Sequence, residues 1–274
     1  MKLSIITVNF NNCIGLKKTI DSVRGQVFND YEWIIIDGGS TDGSREIIEQ
    51  NASHLAYWVS EPDTGIYNAM NKGLREANGE YLLFLNSGDW LVCSDTLLNC
   101  FSHDFTADVI YGDSLFVFEH GIEEYRYPSP LSFYDLYTGF LGHASSFIRS
   151  SLLKKTEYNE NYRIVSDWEF WIKLSLQNAS FCHIDEFVSY FDTTGISSTN
   201  EALIRIERSQ VISEFIPRLF VEDCRYIQEL KSLLGDNQVK QVLKYGRSKK
   251  LYHKLITFCL LVIRFMERFL SKKR

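Results

Sequence analysis

The 274-residue sequence predicts an α/β fold: a mostly parallel central sheet with flanking helices, followed by a C-terminal helical extension. Two observations carry this. Residues 3–90 alternate short β-rich runs with apolar residues at helical spacing, the signature of βαβ units with helices on both faces of a sheet. Beyond Asn200 the pattern is helical throughout.

The elements follow in order. A strand is expected at 3–8, then a helix carrying Leu16, Ile20 and Val23 on one face, a strand at 33–36 and a helix at 45–50. A strand near 56–59, a helix at about 66–77 and a buried strand at 81–85 complete the alternation. From 108 to 126 the sequence turns to β-rich pieces around Gly112 and Gly121, which suggests a hairpin or a mixed-sheet extension. A helix at 167–177 and a strand at 181–191 follow. The C-terminal helices are expected to break at Pro217, Gly235 and Gly246. The chain thus divides into an α/β region, 1–198, and a helical region, 199–274.

With 45% hydrophobic and 14% aromatic residues the chain is globular and large enough for a full core. Its charge is unevenly placed: residues 239–274 hold 11 Lys/Arg against one acid, while the other 238 carry 18 basic and 34 acidic residues. An acidic body argues against nucleic acid as partner, because phosphate backbones need a basic footprint. Cys13, Cys93, Cys100, Cys182, Cys224 and Cys259 form no CxxC pair or metal-finger spacing, so they are read as reduced thiols of a cytosolic protein. The apolar run at the N-terminus is too short for a signal peptide and reads as a first strand.

Candidate functional residues gather where strands stop. The first strand ends in Thr7-Val8-Asn9-Phe10-Asn11-Asn12, the second in Asp37-Gly38-Gly39-Ser40-Thr41-Asp42-Gly43-Ser44. Asp42 or Thr41 can cap the next helix, whereas Asp37 extends an apolar strand and offers a carboxylate to a base imide or ribose hydroxyl. Asp63 and Thr64 precede the helix bearing Asn68, Asn71 and Lys72, polar residues three and four apart that share a face, and Gly73 within it suggests close packing or a break. The strand at 81–85 breaks into Asn86-Ser87-Gly88-Asp89, which delivers Asp89 to the sheet edge where open α/β folds bind ligands and where a cation could hold a diphosphate.

Asp37-Gly-Gly-Ser-Thr-Asp-Gly-Ser44, the Asp63-x-Gly65-x-x-x-Ala69-x-Asn71-x-Gly73 block, Gly79-Glu80-Tyr81 and Asn86-Ser-Gly-Asp89 resemble, in order and spacing over about residues 1–195, the family 2 glycosyltransferases of GT-A fold. The resemblance implies an inverting transfer from a nucleotide-activated sugar, usually a UDP-sugar, with Mn²⁺ or Mg²⁺. It implies a nucleotide-binding half at about 1–107 and an acceptor half at about 108–198. Thr7, Asn9, Asp37, Asp63, Asn71, Lys72 and Asn86 are then the expected donor-binding residues and Asp89 the metal ligand. The family's catalytic carboxylate maps onto Asp167 in Ile164-Val165-Ser166-Asp167-Trp168-Glu169, where Ser166 replaces the first acid of the usual pair. A carboxylate in the first turn of a helix is well held for general-base work. Glu169 is the second choice, and Ser166 and His143 are possible substrate contacts. Residues 191–198, small and polar, match a loop that closes over the donor. Two departures stand out: Asn86 and Gly88 occupy places where the metal motif usually has carboxylates, and Gly38 stands where many relatives carry a second Asp that reads the base.

The resemblance also implies a setting, the assembly of a surface polysaccharide or lipopolysaccharide precursor on a lipid-linked saccharide acceptor. Residues 249–272 read as a basic helix, apolar nearly all round with a narrow polar stripe, that lies on the cytoplasmic face of the inner membrane or docks on protein. Peripheral attachment there would meet a lipid-linked acceptor. Two other readings stay open: a sugar-phosphate nucleotidyltransferase, against which the lack of a basic residue in 9–15 counts, and a non-catalytic nucleotide-sugar-binding protein.

Overall fold

The computed structural model describes residues 1–102, 105–195 and 200–234. It divides into two units, Met1–Ile216 and Pro217–Arg274. The first unit begins with the expected alternation: β1 (Leu3–Asn9), α1 (Cys13–Arg24), β2 (Tyr31–Asp37), α2 (Ser44–Asn51), β3 (Tyr57–Ser60), α3 (Ile66–Glu76) and β4 (Tyr81–Phe84). These four strands pair in parallel in the order β3-β2-β1-β4, with Asn9 opposite Asp37 and Asp37 opposite Ser60. Period-2 alternation sorts their side chains. Leu3, Ile5, Trp33, Ile35, Tyr81 and Leu83 join one core with Leu16, Ile20 and Val23 of α1 and Ile48 of α2. On the other face α3 lies so close that a Cβ at Gly73 would sit 2.5 Å from Ile6 Cγ2, so this glycine marks close packing and not a break.

The second half is mixed. β5 (Trp90–Leu91), α4 (Thr96–Cys100), β6 (Val109–Phe118) and β7 (Gly121–Tyr125) come first, with β6 and β7 forming the expected antiparallel hairpin. α5 (Phe133–Thr138), β8 (Ser146–Arg149), α6 (Ser150–Thr156), α7 (Ser166–Leu176) and β9 (Phe181–Asp192) follow. β8 enters antiparallel between β4 and β6, β9 runs parallel to β6, and β5 closes the edge antiparallel to β9. The parallel pairing expected for most of the sheet holds among β1 to β4 and between β6 and β9, and the antiparallel pairings fall in the mixed second half. Short β8 carries no period long enough to be read from sequence.

α8 (Glu201–Phe215) belongs to the first unit, so the division falls at Ile216 where 198 was expected. The second unit is described only by α9 (Arg218–Leu234), which begins just after the expected break at Pro217. Gly235, Gly246, Cys259 and the basic stretch 249–272 lie outside the described residues. Among the described residues no helix is long and apolar enough to cross a membrane, and the other five cysteines are free thiols.

Candidate active site

The C-terminal ends of β1, β2 and β4 open onto a cleft of about 1000 Å³. The N-terminal half contributes Asn9, Asp63, Asn86 and Asp89, and the second half His143, Arg163, Asp167, Trp168 and Asp192, with Arg208 from α8. Asp89 and Asp167, 78 positions apart in sequence, thus border one cavity.

Asp89 ends the turn after β4, where Gly88 at φ +105° permits the reversal. Its Oδ1 accepts from Asp192 N at 3.0 Å, and the side chain is nearly closed to water. Burial pushes its pKa up to about 7, with the Asp192 charge acting in the same direction and His143 and the Asp192 N–H opposing. A cleft-lining carboxylate in this state, flanked by a second one, suits a cation. Asn86 Oδ1 and Asn9 Oδ1, both enclosed, find no donor among the described residues, so a ligand or cation could also satisfy them. Among the described residues no three acidic, His or Cys side chains converge as a ready-made metal cage. The donor set fits a cation that keeps phosphate oxygens and water as its remaining ligands.

Asp167 sits in the first turn of α7. No side chain caps that helix, and Ser166, expected as a possible substrate contact, is fully buried away from the cleft and accepts from Asn159 N at 2.6 Å. The end is held from outside, by Glu207 of α8, whose carboxylate accepts from Arg163 N, Ile164 N and Val165 N at 2.8, 3.0 and 3.2 Å. Asp167 Oδ1 accepts from Trp168 N at 2.8 Å and lies 2.9 Å from Tyr67 Oη, which is 2.5 Å from Ile164 O. Asp167 Oδ2 is 3.3 Å from His143 Nδ1, and His143 Nε2 is 3.0 Å from Asn86 Nδ2. An imidazole that donates through Nδ1 to Asp167 and accepts at Nε2 from Asn86 links Asp167 to the Asp89 turn. Burial disfavours its charged form, but the Asp167 carboxylate, aided by Asp89, outweighs this and raises the His143 pKa above its usual value. The aromatic residues after Asp167 anchor α7: Trp168 Nε1 donates to Leu136 O at 2.7 Å and Trp171 Nε1 to Leu141 O at 2.9 Å.

Other expected site residues stand behind the wall of the cleft. Thr7 is fully buried and its Oγ1 accepts from Trp33 Nε1, because period 2 turns it into the core. Asp37 is fully buried too: Oδ1 accepts from Asn9 Nδ2 and Ser40 Oγ, and Oδ2 from Ser40 N and Ser60 Oγ. Although burial favours protonation, these donors hold its pKa below the usual carboxylate range, so it organises the loop with its acceptor sites filled. Asn71 ties α3 to Tyr158 N and O and to Glu160, while Lys72 pairs with Glu61 at 2.6 Å. Glu169 points away into an ion pair with Lys173 at 2.8 Å, which leaves Asp167 as the carboxylate of that helix at the cleft. At Gly38 a Cβ would lie 2.5 Å from Asp63 Oδ2, so Asp63 delivers a carboxylate beside the place where relatives carry a second Asp.

Asp192, Arg208, Glu207 and Tyr67 were not expected from sequence. Asp192 could have been, since it too is an acid that ends a strand, whereas Arg208 and Glu207 are ordinary helix residues whose reach only the tertiary fold reveals. Phe116, Phe118, Phe140 and Phe191, all within 108–198, also line the cleft, with Phe116 stacked on Phe140 at 5.9 Å. Residues 191–195 of the expected closing loop also line the cleft, and 196–199 are outside the described residues.

The glycosyl transferase family 2 model matches residues 4–130. An uncharacterised glycosyltransferase of Mycobacterium tuberculosis is 34% identical over 209 residues, covering 73% of this chain and 78% of that protein. A PGL/p-HBAD biosynthesis glycosyltransferase of Mycobacterium bovis is 30% identical, covering 72% and 79%. The fold is similar to that of S. aureus TarS in complex with UDP-GlcNAc, at TM-score 0.62 and 22% identity over 81% of this chain and 73% of that one. It is equally similar, at TM-score 0.62 and 16% identity over 95% and 80%, to the Pyrobaculum calidifontis mannosyltransferase PcManGT in complex with GDP-Man and Mn²⁺. With the family model on residues 4–130 and relatives aligned over most of their length, the chain belongs to the family 2 glycosyltransferases of GT-A fold.

Proposed function

We propose that the protein is a metal-dependent, inverting glycosyltransferase that moves a sugar from a nucleotide donor, a UDP-sugar first among candidates, to a hydroxyl of a lipid-linked saccharide. The observation that carries this reading is the placement of Asp89 and Asp167 on one cleft, joined through Asn86 and His143. The TarS complex with UDP-GlcNAc and the PcManGT complex with GDP-Man and Mn²⁺ support a nucleotide sugar and a divalent cation as ligands. The PGL/p-HBAD relative supports a lipid-related acceptor.

In this reading the ends of β1 and β2, with Asn9 and Asp63, hold the nucleoside. Asp89, Asp192 and Asn86 would hold Mn²⁺ or Mg²⁺, which supplies positive charge against the departing diphosphate. Asp167 takes the proton of the attacking hydroxyl as that oxygen bonds to the anomeric carbon and the diphosphate leaves from the opposite face. Tyr67, Trp168 N–H and His143 fix the direction in which its oxygens point.

A panel of UDP-, GDP- and dTDP-sugars with Mn²⁺, with and without chelator, tests the assignment. Asp167→Asn should leave nucleotide affinity nearly intact while transfer falls by at least ~10²-fold, the scale of losing a general base. Undiminished transfer in that variant would refute the role given to Asp167, and activity indifferent to chelator would refute the cation.

A further inference from the structure

We infer that Arg163 and Arg208 form an anion subsite on the acceptor side of the cleft, so that the acceptor saccharide carries a phosphate-type group near the attacking hydroxyl. The inference rests on the reading of Asp167 as the base.

Both side chains line the cleft. Arg45, Arg75, Arg126, Arg149, Arg205 and Arg218 each meet a carboxylate. Arg163 and Arg208 enter no ion pair among the described residues. Arg208 is held in place without a direct ion pair: its guanidinium lies 4.5 Å over the Trp168 ring, one terminal nitrogen donates to Gly139 O at 2.6 Å, and Nε is enclosed with no acceptor among the described residues. Taking a guanidinium out of water without a partner is costly, and the cost is recovered when an anion fills the fork. Phosphate oxygens match that fork in two parallel hydrogen bonds.

Location separates acceptor from donor. The Arg208 guanidinium stacks on Trp168, the residue next to Asp167, and the Asp167 charge acts on it. Arg163 begins the three-residue stretch that Glu207 clamps immediately ahead of α7. A group bound between the two arginines would sit beside the base, where the accepting hydroxyl must also lie.

The test uses the full chain, Mn²⁺, the donor found by the sugar-nucleotide panel, and two matched acceptors: an alkyl glycoside and the same glycoside bearing a phosphate monoester. Wild type should show a KM at least ~10-fold lower for the phosphorylated acceptor, the scale of one charge-assisted contact. Arg163→Gln with Arg208→Gln should bring that ratio close to one, and the corresponding Lys variants should restore part of it. Calorimetry of the two acceptors without donor should give the same ordering, which keeps the outcome separate from any failure of transfer chemistry. The inference is overturned by equal use of both acceptors in wild type, or by a ratio that survives in the double Gln variant. Nucleoside diphosphate affinity lost in parallel with acceptor affinity would overturn it too, by assigning the arginines to the donor. A fall in kcat alone on both acceptors would mean that Arg208 only positions Asp167.

Discussion

Asp89 is a carboxylate held where ionisation is costly, and that cost can be measured. Its folded pKa of about 7 stands above the ordinary value of 3.8, so the folded chain binds this proton more tightly than the unfolded chain. Stability of the metal-free protein should therefore fall as pH rises from about 4 to about 7 and level off above, by on the order of 4 kcal/mol if Asp89 acted alone. A bound cation reverses the sign, because it needs the ionised form. Asp89→Asn should thus raise the melting temperature of the metal-free protein at pH 8 by roughly 5 °C or more, much less at pH 4.5, and remove metal-dependent turnover. Equal melting shifts at both pH values would show that burial of the charge is not what strains the site. The sequence points to Asp89 because a lone acid at the end of an apolar strand is conspicuous, and to Asp37 for the same reason. It does not tell them apart: four donors from Asn9, Ser40 and Ser60 converge on Asp37, whereas Asp89 meets one backbone N–H.

At the scale of elements, the start of α7 depends on α8. A helix normally leaves its first N–H groups for a nearby cap, and Ser166-Asp167 looks like one. The acceptor comes instead from Glu207, some forty residues later, which takes three consecutive N–H groups just ahead of the turn that carries Asp167. Glu207→Ala should cost about 3 kcal/mol, read as a lower urea midpoint with unchanged slope, because buried donors are left unmet. A loss below ~0.5 kcal/mol would mean that water replaces the carboxylate at no cost. Such a cap is invisible locally, since its donor and acceptor segments meet only when α8 packs against α7. α3 is the opposite case: its period and its start are written in eleven consecutive residues and their flanks, although only the fold shows which of close packing or a break Gly73 serves.

At the scale of the molecule, an acidic body is joined to a tail with 11 basic residues and one acid in 239–274. Vesicles containing anionic lipid should float the full chain but not a chain ending at Tyr245, and 0.5 M salt should weaken the effect, since the attraction is screened within a Debye length. Equal flotation of both chains would remove the lipid reading and leave a protein-docking one. What the sequence by itself determined is the N-terminal half: strand and helix periods are local, parallel βαβ units follow from them, and strand ends place Asn9, Asp63, Asn86 and Asp89 on one edge. Only the tertiary structure decided the rest: that β8 inserts antiparallel beside β4, that Asp167 and Asp89 share a cavity, that Thr7 and Asp37 face inward, that Arg208 reaches the cavity from α8, and that Glu207 of the same helix clamps the backbone ahead of α7. The reason is physical, because those contacts join segments dozens of residues apart whose own periods carry no record of the partner they bury against.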